Sequence, residues 1–283
     1  MPLNKSKDIL THATNNKYGV LAAVTFNFET IKWAIKAAQE EKMPLIILFY
    51  PGFNFHVPQG FMAHMATSLA KEATVPVAVH LDHSNSYDVA VSGIRDGFTS
   101  IMVDGSALPY EENVALTASV VQTARVFDID VEAELGYVGS GSNIGDMTNS
   151  DLFTDAAQAR EFVTRTGCDL LAIAVGNAHG PYVQVPKLDF DRIRDIRNAV
   201  DIPLVMHGSS DIPDQQIQEA VSLGISKFNV GTEFFRAFYD AVKVGTAGDG
   251  LGDALNLLKG AEEPVVEFLR SKIRLLNPHK YRF

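Results

Sequence analysis

Val77-Ala78-Val79-His80-Leu81-Asp82-His83 begins as an apolar run and ends on an acid and an imidazole. The run lacks strict alternation, as expected of a strand buried on both faces. Pro76 stands just before it, where a missing N–H does least harm. His80 and Asp82 are two apart and therefore share a side of the strand. A strand of this kind, polar at its C-terminal end, recurs along the chain. Candidate strands are 20–25, 45–49, 77–81, 100–103, 131–135, 170–175, 204–206 and 227–230.

The stretches between them are helical in spacing. Ile31, Ala34, Ile35 and Ala38 form one apolar stripe, and Val114, Ala118, Val121 and Ala124 another. Gly97 and Gly224 fall where such helices should stop. Strands alternating with helices predict a parallel sheet with crossover helices. An open, doubly wound sheet would look the same locally. The recurrence of polar residues at nearly every strand end favours a closed (β/α)8 TIM barrel, whose chemistry gathers on that rim. At 283 residues the chain suits one such domain over 1–283, with a C-terminal helix and basic tail at about 254–283. Two connections, 136–151 and 177–187, are longer than a turn requires, which marks them as functional or disordered. The glycine-rich stretch 245–252 reads as flexible.

The chain carries 24 Lys and Arg against 34 Asp and Glu, a formal charge of −10. That balance argues against a nucleic-acid partner. No apolar run is long enough to cross a membrane, and the N-terminus lacks a signal-peptide core. The lone Cys168 excludes an internal disulfide and fits a reducing, cytoplasmic setting. An anionic protein can still hold a phosphate, but only locally, through backbone amides and a few cations.

The residues expected on the rim are Asn27, Asp82, His83, Asp104, Glu132, Glu134, His179, His207 and Asn229. Three strand ends each deliver a histidine, namely His83, His179 and His207. That set suits a catalytic zinc, which keeps three protein ligands and an open position. Asp104 and Glu134 could hold the metal in another position or orient its ligands. The plainer alternative is that each histidine bonds a neighbouring loop. His80 reads as a satisfied interior residue, and His12, His56, His64 and His279 as surface residues. His207-Gly-Ser-Ser-Asp211 and Asn229-Val-Gly-Thr232 follow strands seven and eight, where barrels often bind phosphate. Gly208 and Gly231 would admit the backbone, Ser210 and Thr232 would add hydroxyls, and Gly180 another amide. Turn chemistry alone could also account for these small residues.

Five segments carry a resemblance to a known family: His80-Leu-Asp-His83, Val131-Glu-Ala-Glu-Leu-Gly136, Asn177-Ala-His-Gly180, His207-Gly-Ser-Ser-Asp211 and Asn229-Val-Gly-Thr-Glu233. Together they resemble the class II fructose- and tagatose-bisphosphate aldolases, in order and over nearly the whole chain. The resemblance implies a Zn2+ ion on His83, His179 and His207. It implies Asp82 as the acid/base at the C4 hydroxyl, with Asp104 and Glu134 near the metal's alternative site. It also implies a dihydroxyacetone phosphate cradle of Gly180, Gly208, Ser210, Asn229 and Thr232; Asn27, from its place on the rim after strand one, is expected to add a substrate contact. A monovalent cation (Na+ or K+), a sugar-phosphate substrate and a homodimer or homotetramer belong to the same expectation.

The chemistry is coherent. Cleaving C3–C4 of a ketose leaves an enediolate whose charge a Lewis acid can stabilise, and a carboxylate must move the C4 hydroxyl proton. A Schiff-base aldolase would instead need a lysine inside the barrel. Lys227 reads only as the opening residue of strand eight. A zinc hydrolase on this fold often has His-x-His after strand one, which Val24-Thr-Phe-Asn-Phe28 lacks.

Three positions depart from the family pattern. Ser142 stands where a loop glutamate is usual, leaving Asp146 as the nearest acid. Tyr50 replaces a small hydroxyl residue, and Gly231 an aspartate or alanine. These changes point to a different aldehyde half, or to a non-catalytic sugar-phosphate-binding relative. Arg270, Lys272, Arg274, Lys280 and Arg282 could reach a second phosphate or simply end a solvated helix.

Overall fold

The computed structural model describes residues 2–246 and 253–281. Residues 247–252 of the glycine-rich stretch, and Arg282, lie outside them. Eight parallel strands close into a barrel in sequence order, with the last pairing back to the first. They are β1 (Val20–Val24), β2 (Leu45–Phe49), β3 (Val77–Ser84), β4 (Ser100–Val103), β5 (Asp130–Leu135), β6 (Leu170–Ile173), β7 (Leu204–Met206) and β8 (Ile225–Val230). The core is built mainly of Val, Ile, Leu and Ala, nearly all fully buried, with His80, Glu132 and Lys227 buried among them.

The outer helices are set by local chemistry. Helix α2 (Phe28–Glu41) starts at Asn27, whose side chain accepts from Thr30 N–H while Thr30 reaches back, a capping box. Its apolar face, with Ile31, Trp33, Ala34 and Ala38, is buried. Each large side chain removed from water there contributes roughly 1.5–3 kcal/mol. Gly97 closes α4 (Tyr87–Asp96) at φ 95°, and Gly224 follows α9 (Asp214–Ser222) at φ 103°. Both are left-handed turns that a side chain would strain.

Some elements differ from expectation. A first helix, α1 (Ser6–Asn16), has no strand before it. Its Lys7 N–H donates to Asp130 at 2.8 Å, and the segment ahead of it exchanges backbone bonds with Val77. It thereby covers the N-terminal end of the barrel. His12 is half-buried there, bonded to the Tyr18 hydroxyl, and is not a plain surface residue.

Strand β3 runs on through Asp82 and His83, where sequence places its end at Leu81. Leu81 pairs with Ile101 but Ser84 with Val103, so one extra residue is inserted. His83 takes φ 42° to absorb it. That bulge lets the neighbours Asp82 and His83 both reach the rim, which regular pleating forbids.

Lys227 lies inside β8, fully buried, and does not open the strand. A further bulge between β7 and β8 sets its register. The long helix α11 (Ala254–Leu276) packs Val265, Val266, Leu269 and Ile273 inward. Three of its cations are already paired, Arg270 and Arg274 with Glu41 and Lys272 with Glu233. The basic tail is therefore a set of intramolecular ion pairs over these residues.

Candidate active site and metal centre

His83, His179 and His207 meet at the C-terminal mouth of the barrel. His83 Nε2 lies 2.9 Å from His207 Nδ1 and 3.2 Å from His179 Nε2, and the third side is 3.3 Å. Each ring's outer nitrogen faces an oxygen acceptor. His83 Nδ1 meets Asp104 Oδ2 at 2.9 Å, His179 Nδ1 meets the Val138 carbonyl at 3.1 Å, and His207 Nε2 meets Glu132 Oε1 at 2.8 Å. The outer nitrogens accordingly carry the hydrogens, and the inner lone pairs converge on one point. Zinc held tetrahedrally by nitrogens at about 2.0–2.1 Å spaces them about 3.3–3.4 Å apart. The donor set therefore fits a zinc ion with one position open towards the cavity.

The charges around this point favour a cation. Burial opposes a proton on His83, but Asp82 and the bond to Asp104 outweigh it and push its pKa up to about 9. Burial pulls His179 down, and His207 well down, each helped by the neighbouring His83. Burial would raise Asp104, yet the hydrogen bond from His83 holds it below the usual carboxylate range. Burial pushes Glu134 up to about 8, and Asp104 adds to this. Glu134 Oε1 accepts from Val138 N–H at 3.1 Å, while Oε2 is buried with no partner. His83, Asp104 and Glu134 form a second trio of donor atoms beside the first.

The cavity in front of the histidines measures about 540 Å³. Asp82, Gly180, Gly208, Ser210, Asn229, Gly231 and Thr232 all line it. Thr232 is the first residue of α10 (Thr232–Thr246), so that helix points its N-terminus at the cavity. Asn229 Nδ2 approaches Asp82 Oδ1 at 3.4 Å, and its own Oδ1 is buried and unpartnered. Tyr50 stands edge-on to His83, ring centroids 6.1 Å apart, and walls the mouth.

Two expected site residues fall elsewhere. Asn27 spends its side chain on the α2 cap and does not line the cavity. Asp146 accepts from Ser140 N–H at 2.8 Å and from Asn143 Nδ2 at 2.7 Å, so its carboxylate is turned into its own loop. Ser142 bonds Ser140 at the surface. His80 is only half satisfied: one ring nitrogen bonds Ser100, and Nε2 has no hydrogen-bond partner.

The family model for fructose-bisphosphate aldolase class-II matches residues 4–280. The chain belongs to that family. It is 43% identical over 239 residues to the D-tagatose-1,6-bisphosphate aldolase subunit GatY of Klebsiella oxytoca, covering 84% of each. It is 43% identical over 231 residues to the uncharacterized protein YdjI of Escherichia coli K12, covering 82% of this chain and 83% of YdjI. The crystal structure titled as the YdjI aldolase superposes with a TM-score of 0.87 at 39% identity, over 97% of both chains.

For this class II aldolase family member, sequence reasoning placed Glu132 on the rim side of its strand but missed its partners and several other contributors to the site. Glu132 and Lys227 lie beneath His207, and the inward side of Lys227 could be read from its two-residue spacing to Asn229. The Lys227 ammonium is bonded to Glu132 at 2.7 Å, so it does not face the cavity as a Schiff-base lysine would. The Val138 carbonyl and the Tyr182 hydroxyl carried no signal. Tyr182 accepts from Ala178 N–H at 2.8 Å and donates to the Gly208 carbonyl at 2.9 Å, tying together the segments beside His179 and His207. The long loops also pair: His179 N–H donates to Gly139 O, and Gly141 N–H to His179 O.

Proposed function

We propose that this protein is a zinc-dependent aldolase that cleaves or forms a ketose phosphate, with dihydroxyacetone phosphate as one half. The observation carrying this reading is the convergence of three histidine lone pairs beside Asp82, in a cavity edged by Gly180, Gly208, Ser210, Asn229 and Thr232. Bound zinc would supply the Lewis acid for the charge that develops when a bond next to a carbonyl breaks.

The protein's own groups do the rest. The Asp82 carboxylate, 5% exposed and on the cavity wall, takes the proton from the C4 hydroxyl in cleavage and returns it in synthesis. The Gly208 and Gly231 turns and the α10 N-terminus offer backbone amides to the phosphate. Asp104, the Val138 carbonyl and Glu132 hold the three rings in register. Tyr50 narrows the side where the aldehyde half would lie.

The test is dihydroxyacetone phosphate release over a panel of ketose phosphates, with chelator and zinc add-back. The panel includes tagatose 1,6-bisphosphate, which the name of GatY suggests, and fructose 1,6-bisphosphate. Release from one substrate, lost with chelator and with His207→Ala, is expected. Turnover that survives removal of zinc would refute the mechanism.

A second reading has one observation behind it. Neither Ser142 nor Asp146 offers an acid to the cavity. A non-catalytic sugar-phosphate-binding relative would bind members of the same panel without releasing any triose.

A further inference from the structure

The interior of the barrel beneath the histidines holds a charged pair. Glu132, Lys227 and His207 are each 0% exposed. Glu132 Oε1 faces His207 Nε2 at 2.8 Å, and Oε2 accepts from Lys227 Nζ at 2.7 Å. Glu132 comes from β5 and Lys227 from β8, and His207 directly follows β7. His80 Nε2 lies 3.8 Å from the same carboxylate. His80, Asp82 and Glu132 would make a metal-like trio of donors, but the lysine ammonium already provides the cation on Glu132.

Packing alone does not account for this pair. A buried Lys–Glu pair gains little over apolar side chains of the same volume, because desolvation consumes most of the attraction. What the pair supplies is orientation. His83 and His179 present Nε2 to the centre, whereas His207 presents Nδ1. A half-turn of the His207 ring would put carbon both at the centre and against Glu132. An acceptor fixed at Nε2 removes that alternative and keeps the hydrogen there. Lys227 pins the far oxygen, so the near one stays aimed at the ring.

We propose that Glu132 and Lys227 are positioning residues that hold His207 with Nδ1 on the metal point and its hydrogen on Nε2. The proposal rests on His83, His179 and His207 being a zinc site. Two double variants separate orientation from packing. Glu132→Leu with Lys227→Met removes the charges and the acceptor; Glu132→Gln with Lys227→Met removes the charges and keeps an acceptor oxygen.

Zinc affinity is read by chelator competition, coordination geometry by the visible spectrum of the cobalt-substituted protein, and folding by metal-free melting. The Leu/Met variant should melt no lower than wild type, bind zinc 10–100-fold more weakly and show an altered cobalt spectrum. The Gln/Met variant should recover affinity to within about five-fold. If wild type binds no zinc, the underlying site reading fails. If wild type binds zinc and the Leu/Met variant binds it equally well, only the positioning proposal fails. Nitrogen-15 histidine spectra of the unmodified, zinc-loaded protein decide the matter if the variants do not fold. His207 should be the metal-bound histidine protonated at Nε2, and the opposite tautomer overturns the proposal.

Discussion

Gly208→Ala should dismantle the proposed metal site from a position that holds none of its proposed ligands. Gly208 sits at φ 60°, and a Cβ there would lie 1.9 Å from the Ala178 carbonyl oxygen, against an ordinary contact of about 3.4 Å. The difference means about 1.5 Å of backbone movement. The two colliding residues adjoin His207 and His179, so the movement is delivered to two of the three rings. Metal–ligand distances tolerate only about 0.2 Å. Zinc affinity should therefore fall on the order of 100-fold or more, since at least one nitrogen leaves the centre. Stability should fall by about 3 kcal/mol, combining the left-handed cost of roughly 1–2 kcal/mol with the clash. Gly180→Ala is the control: φ is 79°, but no atom lies within 4 Å of its Cβ. It should lose only about 1 kcal/mol and keep its zinc. Chelator competition and metal-free melting of both variants test this. A Gly208→Ala protein that binds zinc as tightly as Gly180→Ala would refute the reasoning.

Other perturbations have signs set by single contacts. Tyr182→Phe strands the Ala178 N–H and the Gly208 carbonyl, and should cost about 1–3 kcal/mol in denaturant titration while weakening zinc binding. Unchanged stability would mean the hydroxyl bridge is idle. Asn27→Ala should cost about 1 kcal/mol through the lost cap, with ligand affinity unaltered. Weaker ligand binding at full stability would return Asn27 to the site. Asp130 has its pKa pushed up to about 6, chiefly by burial, with the Lys7 amide opposing and Asp169 adding. Its stabilising contribution is therefore complete below about pH 4 and lost as pH rises through 6. Asp130→Asn should exceed wild-type stability above pH 7 by up to about 3 kcal/mol and show no advantage at pH 4. Melting curves in which the gap does not grow with pH would contradict the burial argument.

Much of this was legible in one dimension. Unalternating apolar runs, helical stripes and turn glycines are local consequences of burial and backbone geometry, so the β/α alternation could be counted directly. Strand ends deliver their polar residues to one rim once the sheet closes, which is why His83, His179, His207, Asp104 and Glu134 can be grouped from the sequence alone. The order of the motifs also carried the family.

What sequence could not decide was register and side-chain partnership. Regular pleating would turn His83 away from Asp82, and only the bulge opposite β4, taken up at φ 42°, brings both inward. Likewise Lys227 reads as a strand opener until the β7–β8 bulge and the added residues Ile225 and Ser226 place it under His207. Asn27 and Asp146 have the right chemistry beside the right strands, but a helix cap and a loop turn claim their oxygens first. Those two choices are local competitions that composition alone does not rank, whereas the bulges and the Lys227–Glu132 bond join segments far apart in the chain and exist only after the barrel has closed.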